Sequence, residues 1–166
     1  MIVLVLGGAR SGKSAVAEQR AHVLADGGPV TYVATMVPSD DDADLAARLE
    51  AHRARRSATW HTVEPPFDLA EVLATTPGTV LVDALGPWVA ARPDMEVDTD
   101  GLVAALRRRS EPVVLVSDEV GMGVHPETAA GRRFRDALGA LNQALAAAAD
   151  ESLLVVAGRV LRLEAP

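Results

Sequence analysis

Short apolar runs alternate along this chain with longer segments in which apolar and polar residues recur at helical spacing. Short runs rich in β-branched residues and bounded by glycine or proline are typical of buried strands. The predicted strands are Ile2–Leu6, Val30–Thr35, the short extended piece Trp60–Val63, Thr79–Asp83, Pro112–Ser117, Ser152–Ala157 and Val160–Leu163. The predicted helices are Ser14–Asp26, Ala43–Arg56, Asp68–Leu73, Asp98–Arg109 and Glu127–Ala149.

The order of these elements predicts the fold class. Strands that alternate with helices indicate an α/β fold with a mostly parallel sheet and helices on both of its faces. Only the Gly158-Arg159 turn separates the last two strands, which is too short for a crossover, so the C-terminal strand should be antiparallel. No repeat or linker divides the chain, and we expect one domain over residues 1–166.

Composition narrows the possible partners and location. A net charge of −7 and 3% aromatic residues argue against nucleic-acid binding as the main role. The absence of cysteine excludes disulfides and thiolate metal sites. Ile2–Leu6 lacks a basic leader and is too short for a signal peptide, and no later run is long enough to span a membrane. We therefore expect a cytoplasmic protein.

The segment between the first strand and the first helix fits the phosphate-loop pattern G-x-x-x-x-G-K-[ST]. It comprises Gly7, Gly8, Ala9, Arg10, Ser11, Gly12, Lys13 and Ser14. Glycines allow successive backbone N–H groups to face a phosphate, Lys13 would reach the β- and γ-phosphates, and the Ser14 hydroxyl would bind Mg²⁺. The position between a strand and a helix is the one this mechanism requires. The motif predicts a nucleoside triphosphate site of the P-loop NTPase type and leaves the reaction open.

Two acids follow predicted strands and could complete this site. Asp83 ends the run TVLVD, and Glu119 follows VVLVSD. Either could hold Mg²⁺ through a water or orient a nucleophile, whereas an acid in this position also commonly caps the next helix. The sequence does not choose between the two acids.

His52 shares a predicted helix face with Leu45 and Leu49, so a buried structural histidine is the plain interpretation. Arg48 and Arg56, one turn away on either side, change this picture. Clustered positive charge disfavours protonation of the imidazole and keeps it nucleophilic, and guanidinium groups bind phosphate oxygens. His52 is thus a candidate nucleophile toward phosphorus.

The segment Glu119–Glu127 is rich in glycine and follows a strand at the edge where open α/β sheets bind ligands. Arg132, Arg133 and Arg135 open the next predicted helix, where positive charge is unfavourable unless it meets an anion. That anion could be a phosphate of a second substrate or an acid of a neighbouring subunit.

The assembled segments resemble the bifunctional adenosylcobinamide kinase / adenosylcobinamide-phosphate guanylyltransferase family of cobalamin synthesis. The matching segments cover nearly the whole chain and include LVLGGARSGKSAVAE, AARLEAHRARR, VLVDAL, VVLVSDEVGMGVHPE and GRRFRDALGALNQALAAAADESLLVVAG. The resemblance implies phosphorylation of adenosylcobinamide by ATP or GTP, followed by transfer of GMP from GTP to that phosphate through a guanylylated histidine. It also implies a homotrimer.

By the same resemblance His52 is the guanylylated residue. Lys13 is the second candidate catalytic residue, and Ser14 and Asp83 are the candidate metal ligands, with Glu119 kept as the alternative acid. The residues implied around the nucleotide are Gly7–Ser14, Ala34, Thr35, Met36, Arg53, Ala54, Arg55, Arg56, Glu64 and Asp83. Two other functions fit the phosphate loop alone. One is a kinase of another small metabolite in which His52 is structural, and the other is a regulatory nucleotide-binding subunit without transfer chemistry.

The chain also departs from the family pattern. Asp118 stands where the family usually has asparagine before the glutamate, and His125 replaces a small aliphatic residue. Leu85–Ala91 differs from the usual segment after the aspartate, and the stretch from Arg92 to Ser110 is short. These departures concern the kinase half and the corrinoid contacts and leave the phosphate loop and His52 unchanged.

Overall fold

The computed structural model describes residues 1–36, 57, 59–64 and 68–165, so the predicted helix Ala43–Arg56 lies outside the described residues. The strands are β1 Ile2–Gly7, β2 Val30–Ala34, β3 His61–Val63, β4 Thr79–Asp83, β5 Val113–Asp118, β6 Glu151–Val156 and β7 Arg159–Leu163. The helices are α1 Lys13–Ala25, α2 Leu69–Thr75, α3 Leu85–Ala90, α4 Thr99–Arg108 and α5 Ala129–Ala148, with a 3-10 turn at Pro93–Met95.

The strands of the described residues form one seven-stranded sheet in the order β3-β2-β4-β5-β1-β6-β7. Every neighbouring pair from β3 to β6 is parallel, and β7 runs antiparallel to β6. A tight turn at Ala157 and Gly158, both with positive φ, joins this last pair. The prediction of a mostly parallel sheet with one antiparallel C-terminal strand is confirmed.

Helices cover both faces of the sheet because successive side chains of a strand point to opposite sides. Val3 and Val5 of β1 belong to the same buried cluster as Ala17 and Ala21 of α1. Leu4 belongs to a second buried cluster, which the helices α2 to α5 supply with apolar residues. The predicted two-sided arrangement is therefore present.

The helix α3 is the one described α-helix that the sequence pattern did not indicate. Its sequence LGPWVA contains a glycine and a proline, which normally indicate a loop. Pro87 stands in the first turn, however, where its backbone nitrogen has no helical hydrogen bond to donate. Trp88 and Val89 are buried beneath this turn, so core packing stabilises a helix that local propensity disfavours.

The topology places the chemistry at one edge. The parallel strands β1, β4 and β5 end at Gly7, Asp83 and Asp118, so their carboxyl ends meet on the same side of the sheet. None of the helices within the described residues has the length and hydrophobicity needed to cross a membrane.

Candidate active site

The phosphate loop runs from the end of β1 at Gly7 to the start of α1 at Lys13. A Cβ atom on Gly7 would lie 2.5 Å from Ser11 Oγ and 2.7 Å from the Val155 carbonyl oxygen, so no larger residue fits there. Gly12 has a φ of 95°, which side chains other than glycine rarely adopt. Two of the motif's glycines are thus required by space and by backbone conformation.

The loop has the polarity that an anion needs. Gly12 is the N-cap of α1 and makes no side-chain capping hydrogen bond, so the positive end of the helix dipole faces the loop. The Lys13 ammonium donates to the Gly8 carbonyl at 3.2 Å, which brings its charge over the loop. Backbone amides and an ammonium together suit the phosphates of a nucleotide.

Neighbouring strands hold the loop in this shape. The Gly158 amide donates to the Ser11 carbonyl at 2.8 Å, and the Glu119 amide donates to the Gly7 carbonyl at 3.1 Å. A Cβ atom on Gly12 would come within 3.4 Å of the Gly158 Cα, so the β6–β7 turn packs closely on the loop. These contacts join segments far apart in sequence, and the motif alone does not indicate them.

The structure separates the two candidate acids. Asp83, 8% exposed, accepts from the Ser14 hydroxyl at 3.2 Å through Oδ1 and from the Tyr32 hydroxyl at 2.6 Å through Oδ2. The Glu119 carboxylate instead accepts from the backbone amides of Gly121 and Met122 and stabilises its own loop. Of these two, Asp83 is therefore the acid whose carboxylate faces the phosphate loop.

The Ser14 hydroxyl and the Asp83 carboxylate are hard oxygen ligands of the type Mg²⁺ prefers. Their oxygens lie 3.2 Å apart, so one ion could contact both. Within the described part of the chain, no group of three or more histidine or acidic side chains could hold a metal by itself. Magnesium characteristically takes few protein ligands and completes its shell with phosphate oxygens and water. The residues present fit that arrangement.

Lys13 also pairs with an acid that the sequence did not connect to it. Its Nζ lies 2.7 Å from Oδ1 of Asp118 at the end of β5. The one indication in the sequence was that Asp118 departs from the family's asparagine. The residues are 105 positions apart, so only the register of β5 on β1 brings them together.

The other residues predicted around the nucleotide fall into two groups, those near the ends of β2 and β3 and those outside the described residues. Thr35 follows the buried end of β2, and its hydroxyl oxygen accepts from the Ala84 amide at 2.9 Å, which braces the chain after Asp83. Ala34 and Thr35 are buried, Met36 is partly exposed and Glu64 is exposed, at the same edge of the sheet. His52, Arg53, Ala54, Arg55 and Arg56 lie outside the described residues.

The arginines at the start of α5 have partners inside the chain. Arg132 donates to two backbone carbonyls of the preceding loop, Arg133 lies 3.6 Å from Asp94, and Arg135 lies 2.8 Å from Asp136 Oδ1. These contacts account for the positive charge at this helix start. The arginines therefore do not by themselves indicate a second phosphate site.

Comparison with known proteins relates this site to one family. The family model described as CobU, cobinamide kinase / cobinamide phosphate guanyltransferase, matches residues 3–163. The "Bifunctional adenosylcobalamin biosynthesis protein CobU" of Salmonella typhimurium is 41% identical over 180 residues, covering 95% of this chain and 97% of that protein. The protein of the same name from Escherichia coli is 39% identical with the same coverage. CobP of Pseudomonas aeruginosa is 36% identical over 97% of this chain and 96% of its own length.

Solved structures support the fold. The flagellar accessory protein FlaH of Methanocaldococcus jannaschii aligns with a TM-score of 0.57 and 16% identity, over 96% of this chain and 74% of FlaH. The P4 protein of bacteriophage phi6 in complex with ADP aligns with a TM-score of 0.51 and 15% identity, over 96% of this chain and 53% of that one. At such identities the likeness concerns the P-loop NTPase fold alone.

Proposed function

Because this chain belongs to the family of cobinamide kinases / cobinamide phosphate guanylyltransferases, we propose that it is a bifunctional transferase of cobalamin biosynthesis. It phosphorylates adenosylcobinamide with ATP or GTP and then transfers GMP from GTP to the new phosphate, which yields adenosylcobinamide-GDP. The observation that carries this proposal is a complete phosphate loop beside the Ser14–Asp83 pair, in a chain similar to the bifunctional enzymes over nearly its whole length.

In the kinase half, the loop amides and Lys13 bind the triphosphate and stabilise the charge that develops on the γ-phosphoryl group. The hydroxyl oxygen of adenosylcobinamide forms a bond to the γ-phosphorus and releases its proton to water. The bond to the β,γ-bridging oxygen breaks, and the nucleoside diphosphate leaves. Ser14 and Asp83 would hold Mg²⁺, which neutralises charge on the β- and γ-oxygens when bound. Tyr32 orients Asp83 toward Ser14.

In the guanylyl half, a His52 ring nitrogen forms a bond to the α-phosphorus of GTP and pyrophosphate leaves. A phosphate oxygen of adenosylcobinamide phosphate then takes the GMP and frees the histidine. The clustered arginines of the same segment favour a neutral imidazole and bind phosphate oxygens. This half is supported by the family resemblance and by the chemistry of the sequence, since residues 52–56 lie outside the described part.

We assign the rest of the nucleotide site on the same basis. Ala34, Thr35, Met36 and Glu64 border the nucleotide together with the phosphate loop, because β2 and β3 end at the same edge as β4. We also propose one domain over residues 1–166 that acts in the cytoplasm as a homotrimer. Light scattering after size exclusion tests the trimer and should give about three times the chain mass of 17.4 kDa.

The decisive experiment is the intact mass of the protein after incubation with Mg²⁺ and GTP. We expect a gain equal to one GMP in the wild type and none in His52→Ala. His61→Ala is the matched control, because His61 is an exposed histidine on β3, outside the predicted helix that carries His52, and it should gain the same mass as the wild type.

The outcomes separate the competing functions. No mass gain in a wild type that binds GTP would contradict the histidine mechanism and leave a kinase of another small metabolite. Phosphoryl transfer from ATP or GTP to added adenosylcobinamide tests the kinase half independently. Binding of nucleotide with neither activity would leave a regulatory subunit.

A further inference from the structure

The Lys13 ammonium, the group that a nucleotide's phosphates require, is already engaged in the described structure. Its Nζ lies 2.7 Å from Asp118 Oδ1 and 3.2 Å from the Gly8 carbonyl oxygen. The Lys13 side chain is 13% exposed and that of Asp118 is 30% exposed, so water screens this pair less than it screens a surface ion pair. An ammonium has three donors, and two of them are in use here.

The position of Asp118 is built into the fold. Its backbone pairs with Gly7 in the β1–β5 register, and its carbonyl oxygen accepts from the Asn142 side chain at 3.0 Å. The Asn142 amide oxygen is held in turn by the Ser117 hydroxyl at 2.6 Å. A Cβ atom on Gly86 would lie 2.3 Å from Asp118 Oδ2, so the absence of a side chain on α3 leaves the space that the carboxylate fills.

This arrangement opposes the binding of a triphosphate. The β- and γ-phosphates need the Lys13 ammonium, and a carboxylate in contact with that ammonium competes for it and repels the incoming anion. An asparagine of the same shape would still accept a hydrogen bond from Lys13 but would carry no charge. The negative charge of Asp118, and not its size, is what disfavours the bound nucleotide.

We propose that Asp118 is a positioning residue for Lys13: it holds the ammonium over the phosphate loop and competes with the β- and γ-phosphates, which lowers the affinity of the site for nucleoside triphosphates. When the product nucleotide leaves, the ion pair between Asp118 and Lys13 forms again, which favours product release. The inference rests on the proposed nucleotide site and does not depend on either transfer reaction.

The test compares nucleotide affinity in the wild type, Asp118→Asn and Asp26→Asn. Asp26 is exposed at the far end of α1, about 20 Å from Lys13 at 1.5 Å of rise per residue, and asparagine tolerates its positive φ. Asp26→Asn thus removes the same charge without touching Lys13. The dissociation constant of α,β-methylene-GTP is measured by titration calorimetry at fixed Mg²⁺ and ionic strength, because guanylyl transfer does not cleave this analogue.

We expect Asp118→Asn to bind the analogue about tenfold more tightly than the wild type, and Asp26→Asn to remain within about twofold. A purely structural role for Asp118 predicts the opposite sign, because a damaged site binds more weakly. Equal or weaker binding by Asp118→Asn overturns the inference. If thermal unfolding shows that this variant does not fold, Asp118→Ala carries the same expectation.

Failure of the proposed function is recognised separately. If wild type and variants all fail to bind the analogue, the nucleotide site itself is contradicted, and the inference falls with it. If the wild type binds the analogue but forms no GMP adduct with GTP, only the guanylyl transfer is contradicted. The difference between Asp118→Asn and Asp26→Asn then still decides the role of Asp118.

Discussion

Lys13 and Arg109 are both largely buried cations, and they lie at opposite edges of the same sheet. Lys13, at the carboxyl edge, is held by one carboxylate and one carbonyl oxygen. Arg109, 5% exposed, lies at the amino ends of β4 and β5 and donates to the carbonyl oxygens of Leu73, Thr76 and Gly78. Its guanidinium also lies 3.5 Å from the Glu111 carboxylate.

The difference lies in what a ligand would have to replace. The carbonyls that Arg109 binds belong to the end of α2 and the turn that follows, where helix geometry leaves acceptors unpaired and the dipole is negative. Burial lowers the pKa of the Arg109 guanidinium, and Glu111 opposes that shift. The Arg109 guanidinium has a structural role, because it donates to several backbone carbonyls at once. The Lys13 ammonium contacts one carboxylate and one carbonyl oxygen, so a phosphate can replace its carboxylate partner.

A cavity lies beside Arg109, at the amino ends of β4 and β5. It has a volume of about 450 Å³ and is lined by α2, the following turn and the end of α4. Among the residues that line it, Leu73, Thr76 and Glu111 already contact Arg109. The volume of a cavity is therefore a poorer guide to function than the exchangeability of the charges around it.

The largest effect should come from Arg109→Met, which removes the donor to the three carbonyls and the cation beside Glu111. We expect a loss of about 3 kcal/mol in the free energy of unfolding, measured by urea denaturation. Arg109→Lys should recover only part of this, because an ammonium lacks the planar fork. Affinity for the GTP analogue in the folded protein should stay within about twofold, and a tenfold loss would contradict the structural assignment of Arg109.

Lys13→Ala should have the converse effect. Loss of the charged contacts to the β- and γ-phosphates should weaken binding of the analogue about a hundredfold, or roughly 2.7 kcal/mol. The free energy of unfolding should change by less than about 1 kcal/mol, because the ion pair with Asp118 remains partly solvated. Calorimetry and urea denaturation on one preparation give both values. If Lys13→Ala lowered the free energy of unfolding by more than it lowered the free energy of nucleotide binding, Lys13 would be a structural cation like Arg109.

A smaller effect is expected from Tyr32→Phe, which removes only the hydroxyl that donates a hydrogen bond to Asp83 Oδ2. The aromatic ring stays, so the stacking of this side chain on Trp60 at 6.5 Å between ring centroids is kept. We expect a loss of about 1.5 kcal/mol in stability. The Mg²⁺ concentration that half-saturates nucleotide binding should rise several-fold, and an unchanged Mg²⁺ requirement would show that Tyr32 does not orient Asp83.

The smallest effect should come from Arg133→Ala. Arg133 and Asp94 lie 3.6 Å apart with exposed fractions of 61% and 76%, so water and salt screen the pair. We expect a change of at most about 0.5 kcal/mol in unfolding and no change in nucleotide affinity. A large loss of affinity would mean that this arginine meets a phosphate after all.

Local sequence determined the strands, the fold class and the phosphate loop. β4, with its buried run TVLVD, and the loop glycines follow from patterns read over a few residues. The antiparallel end of the sheet was equally predictable, because the short turn between β6 and β7 leaves no room for a crossover. The family resemblance also comes from these segments, and the role of His52 remains a prediction.

Only the tertiary structure decided which charges act together. It assigned Asp83 rather than Glu119 to the phosphate loop, paired Lys13 with Asp118, and made a helix of Leu85–Ala90. Propensity and periodicity act over one or two turns of chain. The register of β5 on β1 brings together residues about a hundred positions apart, and the burial that stabilises Leu85–Ala90 exists only once the sheet has formed.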